Sequence, residues 1–201
     1  MASALDFYFD FSSPYSYIAS EEIEALAERH GRELRWRPIL LGVVFKASGS
    51  TPLTEGYGPK ARYSVRDFAR SAAFVGVPYR HPSVFPVGAV AASRAVLWLQ
   101  REQPAQMGPF IHAAFRALFV ADRNISDSTV VMDLANGLGI DVAKLAAGIQ
   151  EDSIKNALRT EVEQAIARGV FGAPALFIDG EMFWGHDRLA QIERWITTGP
   201  F

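Results

Sequence analysis

The stretch FDFSSPYSYIASEEIEAL, residues 9–26, joins an apolar run directly to a helical pattern. Just upstream, residues 5–11 alternate apolar and polar side chains and are rich in aromatics, which is typical of a β-strand. Ser13 then precedes Pro14, the residue types favoured at a helix N-cap and at the first helical position. The stretch therefore predicts a strand that passes through one short turn into a helix ending near Gly31.

The chain beyond this helix is predicted to continue with a strand, a loop and a block of helices. Residues 33–40 indicate a second strand. Residues 42–58 are rich in Gly, Ser, Thr and Pro, which favours a loop. Apolar residues at helical spacing then recur in five segments, which are residues 64–75, 87–102, 109–120, 128–138 and 152–168.

The last forty residues return to strands. Residues 175–178 and 182–184 are apolar runs separated by Asp179 and Gly180, a strong hairpin signal, and residues 188–197 predict a final helix. Because the strands at the two ends of the chain must share one sheet, the order β-α-β, helical block, β-β-α predicts an α/β thioredoxin-like domain with an all-helical insertion. We assign residues 1–45 and 155–201 to the thioredoxin-like domain and residues 46–154 to the inserted helical domain.

Composition excludes several classes of function. The 201 residues are 49% hydrophobic, enough for a core that needs no covalent staples, and the net charge of -2 with scattered Lys and Arg argues against nucleic acid. There is no cysteine, which excludes disulfide exchange, thiolate metal sites and cysteine nucleophiles, and no His spacing suggests a metal. No signal peptide or membrane-spanning run is visible, so we expect a cytoplasmic protein without a membrane partner.

Ser13 stands at a position that favours the binding of an anion. At the start of a helix, its hydroxyl lies beside unpaired N–H groups and the positive end of the helix dipole, where anions are favoured. Ser13 and Ser16 occupy the places that the cysteines of a Cys-X-X-Cys motif would take. A serine hydroxyl can donate a hydrogen bond to a thiolate supplied by another molecule. The residues alone leave open that Ser13 is only a helix cap.

Five segments together carry a resemblance to a known family. They are FDFSSPYSYIA, KASGSTP, GPKARYSVRDFAR, GVPYRHPSVFP and GVFGAPALFIDGEMFWGHDRL, and the match runs over residues 5–195. The chain resembles the family of 2-hydroxychromene-2-carboxylate isomerases and kappa-class glutathione transferases. The resemblance implies a DsbA-type thioredoxin-like fold with a helical insertion, glutathione as the cofactor and a homodimer.

The resemblance also implies roles for particular residues. Ser13 matches the serine that hydrogen-bonds the glutathione sulfur and favours its thiolate. Ala173 and Pro174 match a cis-proline loop in which the Ala173 backbone pairs with the cysteinyl backbone of glutathione. The remaining cofactor-binding candidates are His186 and Asp187 for the γ-glutamyl end, and Ser50, Lys46 and Lys60 for the rest of the peptide. From the residues alone, Asp187 is equally well explained as a plain cap of the last helix.

The predicted activity is glutathione-dependent interconversion of 2-hydroxychromene-2-carboxylate and trans-o-hydroxybenzylidenepyruvate, a step in naphthalene-type aromatic catabolism. Two alternatives remain open, a kappa-like glutathione transferase that conjugates electrophiles and a non-catalytic thioredoxin-like interaction domain. Several aromatic residues are compatible with either a pocket for the aromatic substrate or the core, namely Phe45, Tyr63, Phe68, Tyr79 and Phe85. One departure is that Val87, Gly88 and Ala89 follow Phe85-Pro86, where the isomerases tend to carry Asn and then Thr or Ser.

Overall fold

A computed structural model describes residues 3–56 and 58–201 of the chain. Its strands and helices follow the chain in the order β1 Leu5–Phe9, α1 Pro14–Arg29, β2 Leu34–Pro38, α2 Leu41–Ser48, α3 Pro59–Phe74, α4 Val90–Glu102, α5 Pro104–Phe119, α6 Ser128–Gly137, α7 Val142–Gly148, α8 Asp152–Ala167, β3 Ala175–Ile178, β4 Glu181–Trp184 and α9 Leu189–Thr198. A short 3₁₀ helix, His186–Arg188, precedes α9. Among the described residues, no helix is long and apolar enough to cross a membrane.

The strands form one mixed sheet in the order β2-β1-β3-β4. β1 pairs in parallel with β2 and antiparallel with β3, and β3 pairs antiparallel with β4. Asp179 and Gly180 have φ angles of 52° and 89°, as the tight hairpin turn between two twisted strands requires. The predicted order of strands along the chain, the hairpin and the single sheet shared by the two ends of the chain are therefore confirmed.

The sheet and the intervening helices share one aromatic core. Phe9 and Phe11 lie 5.7 and 4.9 Å from Phe115 of α5, measured between ring centroids. Tyr17 of α1 stacks on Phe119 of α5 at 5.3 Å. All five side chains are completely buried. The helices between β2 and β3 are thus packed against the sheet, and the division into domains at residues 45/46 and 154/155, which falls within α2 and α8, stays a prediction.

The prediction of a loop over residues 42–58 is wrong for its first half, because α2 occupies Leu41–Ser48. The helix has no side-chain cap of its own, and its Leu41 N–H instead donates to the carboxylate of Asp10 at 2.6 Å. Gly49, with φ 71°, ends it. Tyr57, within the expected loop, lies outside the described residues. The start of α2 therefore depends on a contact with a residue 31 positions away, which local composition cannot reveal.

Other differences from the prediction concern helix starts. α7 was not predicted; it is seven residues long and is capped by Asp141, whose side chain accepts from the Lys144 N–H. α3 begins at Pro59 instead of residue 64, and α5 begins at Pro104 instead of residue 109, so Pro109 lies inside the helix. In both helices a proline occupies the first turn, where its missing N–H removes no helical hydrogen bond.

Asp10 connects three elements at the carboxyl end of β1. Its side-chain oxygens accept from Ser12 N and Leu41 N, each at 2.6 Å, and its carbonyl oxygen accepts from Ser13 N at 2.9 Å. The residue is 5% exposed. Burial raises the pKa of Asp10 to about 6, although the two backbone hydrogen bonds favour the carboxylate and oppose the shift. Asp10 thus fixes the turn before α1 and the start of α2 at the expense of a buried charge.

The pH dependence of stability follows from this burial. Since the folded pKa is raised to about 6 from 3.8, the stabilisation linked to Asp10 is complete below pH 4 and is lost as the pH rises through 6. We expect the free energy of unfolding of the wild type, relative to Asp10→Asn, to fall by about 3 kcal/mol over this window. Urea unfolding at pH 4, 5, 6 and 7 measures it.

The control for this series is Asp133→Asn, which removes one charge from an exposed helix surface. A difference between wild type and Asp10→Asn that stays constant from pH 4 to pH 7 would contradict the role assigned to the buried carboxylate.

Candidate active site

Ser13 caps α1 and is already hydrogen-bonded on both sides of its hydroxyl. Its Oγ accepts from Ser16 N at 3.1 Å, and its proton is donated to the carbonyl oxygen of Ala173 at 2.9 Å. Pro14 is the first helical residue, as predicted, and Ser13 is 5% exposed. Ser16, the second serine of the motif, is completely buried, and its Oγ has no hydrogen-bond partner among the described residues. Of these two serines, Ser13 is therefore the one that joins the helix start to another loop.

That loop, residues 171–174, precedes β3. The Ala173–Pro174 peptide bond is cis, as the resemblance implies. Gly185 N donates to the Pro174 carbonyl oxygen at 3.0 Å, which ties the loop to the end of β4. Within residues 3–56 and 58–201, the Ala173 N–H has no hydrogen-bond acceptor. A larger residue in place of Gly172 would need the Trp184 side chain to move, because a Cβ at position 172 would lie 2.7 Å from the indole nitrogen.

Ser12 links the same turn to a second loop on its other side. The Val87 N–H donates to Ser12 Oγ at 3.1 Å. The Phe85–Pro86 bond just before Val87 is also cis, which the sequence did not lead us to expect. The turn before α1 consequently lies between two proline-containing loops and is hydrogen-bonded to each of them by a neighbouring serine.

His186 is brought to the start of α1 by an aromatic stack. Its ring lies 4.7 Å from the ring of Tyr15, and the two planes differ by 1°. Tyr15 donates its hydroxyl proton to Asp67 of α3 at 2.6 Å, and its ring edge contacts Phe68 at 5.0 Å. Burial and the Asp67 carboxylate raise the pKa of Tyr15, so the phenol stays protonated. Burial lowers the pKa of His186, and Asp187 opposes this shift.

The structure places the predicted residues in two groups. In the first group, a hydrogen bond connects Ser13 with Ala173, and a ring stack connects His186 with Tyr15, two residues further along the chain from Ser13. Asp187 lies next to His186 and pairs with Arg188 at 3.2 Å. The second group is exposed and comprises Lys46 in the last turn of α2, Ser50 just after it and Lys60 at the start of α3. In the described part of the chain, no side-chain hydrogen bond or ion pair joins the second group to the first.

Several residues of this region were not singled out from the sequence. Tyr15 and Ser12 stand in the quoted motif without an assigned role. Asp67 lies 52 residues from Tyr15, so no local pattern connects the two. The aromatic residues predicted around the loop differ in burial. Phe68 is 2% exposed and belongs to the core, whereas Tyr63 is 59% exposed and lies on the surface. Over the described ranges, no cluster of three or more His, Asp or Glu could hold a metal ion.

Known proteins match the sequence over almost its whole length. The family model for the DSBA-like thioredoxin domain matches residues 4–197. A 2-hydroxychromene-2-carboxylate isomerase from Sphingobium xenophagum is 32% identical over 197 residues, covering 98% of this chain and 99% of that protein. Glutathione S-transferase kappa 2 from Caenorhabditis elegans is 25% identical over 207 residues, covering 97% and 92%.

A solved structure gives the same result at the level of the fold. The selenomethionine form of a 2-hydroxychromene-2-carboxylate isomerase superimposes with a TM-score of 0.85 at 27% identity, covering 94% of this chain and 92% of that one. These relatives match almost the whole length of the chain. The matched region therefore includes both strand-bearing ends, the helices between them, the serine-capped helix and the proline loop. The chain belongs to the family of DSBA-like thioredoxin domains, as a relative of 2-hydroxychromene-2-carboxylate isomerases and kappa glutathione transferases.

Proposed function

We propose that this protein is a glutathione-dependent isomerase that interconverts 2-hydroxychromene-2-carboxylate and trans-o-hydroxybenzylidenepyruvate. The observation that carries the proposal is the buried Ser13 hydroxyl at a helix N-terminus, hydrogen-bonded to a loop in which the Ala173 N–H has no acceptor among the described residues. The chain has no cysteine, so any thiolate at this place must belong to a ligand. The isomerase relatives at 28–32% identity support the choice of reaction.

The residues around Ser13 fit a glutathione peptide because their hydrogen bonds can be exchanged. When glutathione is bound, the Ser13 O–H turns from the Ala173 carbonyl to the sulfur. The freed carbonyl then accepts an N–H of the peptide, and the Ala173 N–H donates to a peptide carbonyl, as in an added strand. This exchange would leave neither the carbonyl nor the N–H of Ala173 without a partner, so the turn of the hydroxyl would carry little penalty.

The energy available is sufficient for the role of Ser13. A free thiol has a pKa of about 8.5, and lowering it by two units requires about 2.7 kcal/mol of extra stabilisation of the thiolate. A hydrogen bond to a charged group contributes about 1.5–3 kcal/mol and a helix N-terminus about 0.3–1 kcal/mol. Together these two effects cover the requirement without a positively charged side chain at the sulfur.

Other residues of the chain would hold the ends of the glutathione molecule. The Asp187 carboxylate, beside the start of the 3₁₀ helix, suits the γ-glutamyl ammonium, and His186 is fixed next to it by Tyr15. The cations Lys46 and Lys60 suit the glycyl carboxylate. When bound, glutathione supplies the nucleophilic thiolate that adds to the conjugated carbon and is released after bond rotation, so it is not consumed.

The alternative supported by the kappa relatives is a transferase that leaves the sulfur attached to its product. The cytoplasmic location stays a prediction from the sequence, and the homodimer and the place in aromatic catabolism stay predictions from the resemblance.

An absorbance assay of 2-hydroxychromene-2-carboxylate with the purified protein separates these functions. We expect interconversion only when glutathione is present, because the chain has no thiol of its own, and no loss of free thiol during turnover. Consumption of thiol in proportion to product would indicate the transferase. Absence of both turnover and glutathione binding would leave a non-catalytic domain.

Ser13→Ala tests the thiolate role directly. We expect the pKa of the bound glutathione thiol to rise by about one to two units and kcat to fall about 10- to 100-fold, since one charge-assisted hydrogen bond is removed. Thiolate absorbance of the complex against pH measures the first quantity. The affinity for glutathione should change only several-fold, because the Ala173 backbone is untouched.

The matched control is Ser16→Ala, which removes a buried hydroxyl three residues away that has no hydrogen-bond partner. Melting temperatures of both variants monitor the N-cap, whose loss costs about 0.5–2 kcal/mol. An unchanged thiol pKa in a folded Ser13→Ala protein would contradict the role.

A further inference from the structure

The loop between α3 and α4 carries a histidine beside the candidate active site. The loop is held against the turn before α1 by the hydrogen bond from Val87 N to Ser12 Oγ at 3.1 Å. His81, in the same loop, lies 5.1 Å from Phe85 between ring centroids. It also lies 6.4 Å from Phe68, with the ring planes within 14° of each other. Phe68 in turn contacts Tyr15 at 5.0 Å, so an aromatic wall of Tyr15, Phe68, Phe85 and His81 runs from α1 into the loop.

The two nitrogens of the His81 imidazole differ in their contacts. Nδ1 lies 3.0 Å from the hydroxyl oxygen of Tyr79. Nε2 has no hydrogen-bond partner in the described part of the chain, and the residue is only partly buried. In the tautomer that carries its proton on Nδ1, the N–H donates to Tyr79 and Nε2 is left with a free lone pair.

The surroundings keep this imidazole neutral near pH 7. Burial lowers the pKa of His81. Burial also raises the pKa of Tyr79 beyond its ordinary range, so that phenol stays protonated beside the ring. The charged residues of the same loop region are Arg80 and Asp122, which pair with each other at 3.2 Å. The rings of Phe68 and Phe85 carry no charge.

The other histidines are engaged elsewhere. His30 lies 3.0 Å from Glu193, and His112 lies 3.0 Å from Glu24, so each faces a carboxylate on a helix surface. His186 is stacked on Tyr15 next to Asp187, at the place proposed for the γ-glutamyl end. Of the four, His81 is the one whose ring combines a nitrogen without a partner in the described part of the chain with contacts to Phe68 and Phe85, in a loop hydrogen-bonded to the turn before α1.

We propose that His81 is the catalytic acid–base residue that opens the cyclic hemiketal of the substrate, a role that rests on the isomerase function proposed above. Nε2 takes the proton of the hemiketal hydroxyl, and the oxygen's electron pair forms the carbonyl as the ring C–O bond breaks. The phenolate oxygen that leaves then takes the proton from Nε2. Protons and electrons balance within the substrate, and His81 returns to its starting tautomer.

The aromatic wall explains why a planar aromatic acid would lie within reach of this nitrogen. Aromatic rings favour offset-stacked or edge contacts with centroids about 4.5–7 Å apart, the spacing already found among the wall residues. The loop that carries His81 and the loop of Ala173 are hydrogen-bonded to Ser12 and Ser13, two neighbouring residues of one turn, and from this we infer that one bound substrate reaches both the thiol and His81. Tyr79 is a positioning residue, which holds the ring through Nδ1; when its hydroxyl accepts from the Nδ1–H, the free lone pair is on Nε2.

The test compares wild type, His81→Ala and His81→Gln at saturating glutathione between pH 5 and 9. We expect kcat to fall about 100-fold or more in both variants, the typical contribution of a general acid–base group. The acidic limb of the pH profile should disappear, because protonated His81 cannot act as the base. Added imidazole should restore part of the activity of His81→Ala. The affinity for glutathione and the thiol pKa of the complex should stay at wild-type values.

His30→Ala is the matched control, and its pH profile should be that of the wild type. Wild-type turnover together with an unchanged kcat and pH limb in His81→Gln would overturn the role of His81 and leave the isomerase intact. A folded His81→Ala protein that imidazole does not rescue, with equal losses of rate and glutathione affinity, would overturn it as well. A wild type that binds glutathione without interconverting the chromene would overturn the isomerase proposal and this role together.

Discussion

The hydrogen bond from Ser13 Oγ to the Ala173 carbonyl joins residues 160 positions apart and ties the two ends of the chain at the candidate site. It connects the first helix, which follows β1, to the loop that leads into β3, and those two strands are neighbours in the sheet. The same oxygen caps the helix through Ser16 N. One hydroxyl therefore serves the local helix and the long-range closure of the fold, and it is also the group to which we assign the stabilisation of the thiolate.

The absence of cysteine changes what this architecture can do. A helix N-terminus beside a proline loop stabilises an anion whether the anion belongs to the protein or to a ligand. With a serine at that point, the protein provides the hydrogen bond and the dipole but not the nucleophile. Asp10 holds the same turn through the backbone N–H groups of Ser12 and Ser13 and connects it to the start of α2, so one buried residue contributes to the position of both serines.

The sequence was sufficient to predict an element wherever the contact that forms it lies between neighbouring residues. The cap of α1 rests on adjacent residues, Ser13 and Pro14, and the hairpin turn rests on Asp179 and Gly180. It was insufficient where the partner is distant, and α2 begins on a carboxylate 31 residues away. The site divides in the same way. Ser13 and Ala173 could be named from motifs, but Tyr15 with Asp67 and Ser12 with Val87 are joined across 52 and 75 residues, which no periodicity encodes.

A crystal structure of the protein with glutathione bound is the most direct test of the exchange at Ser13. The account predicts that Ser13 Oγ lies within hydrogen-bonding distance of the glutathione sulfur, and that the Ala173 carbonyl accepts an N–H of the peptide in place of the Ser13 hydroxyl. A complex in which Ser13 keeps its bond to the Ala173 carbonyl, with the sulfur bound elsewhere, would contradict it.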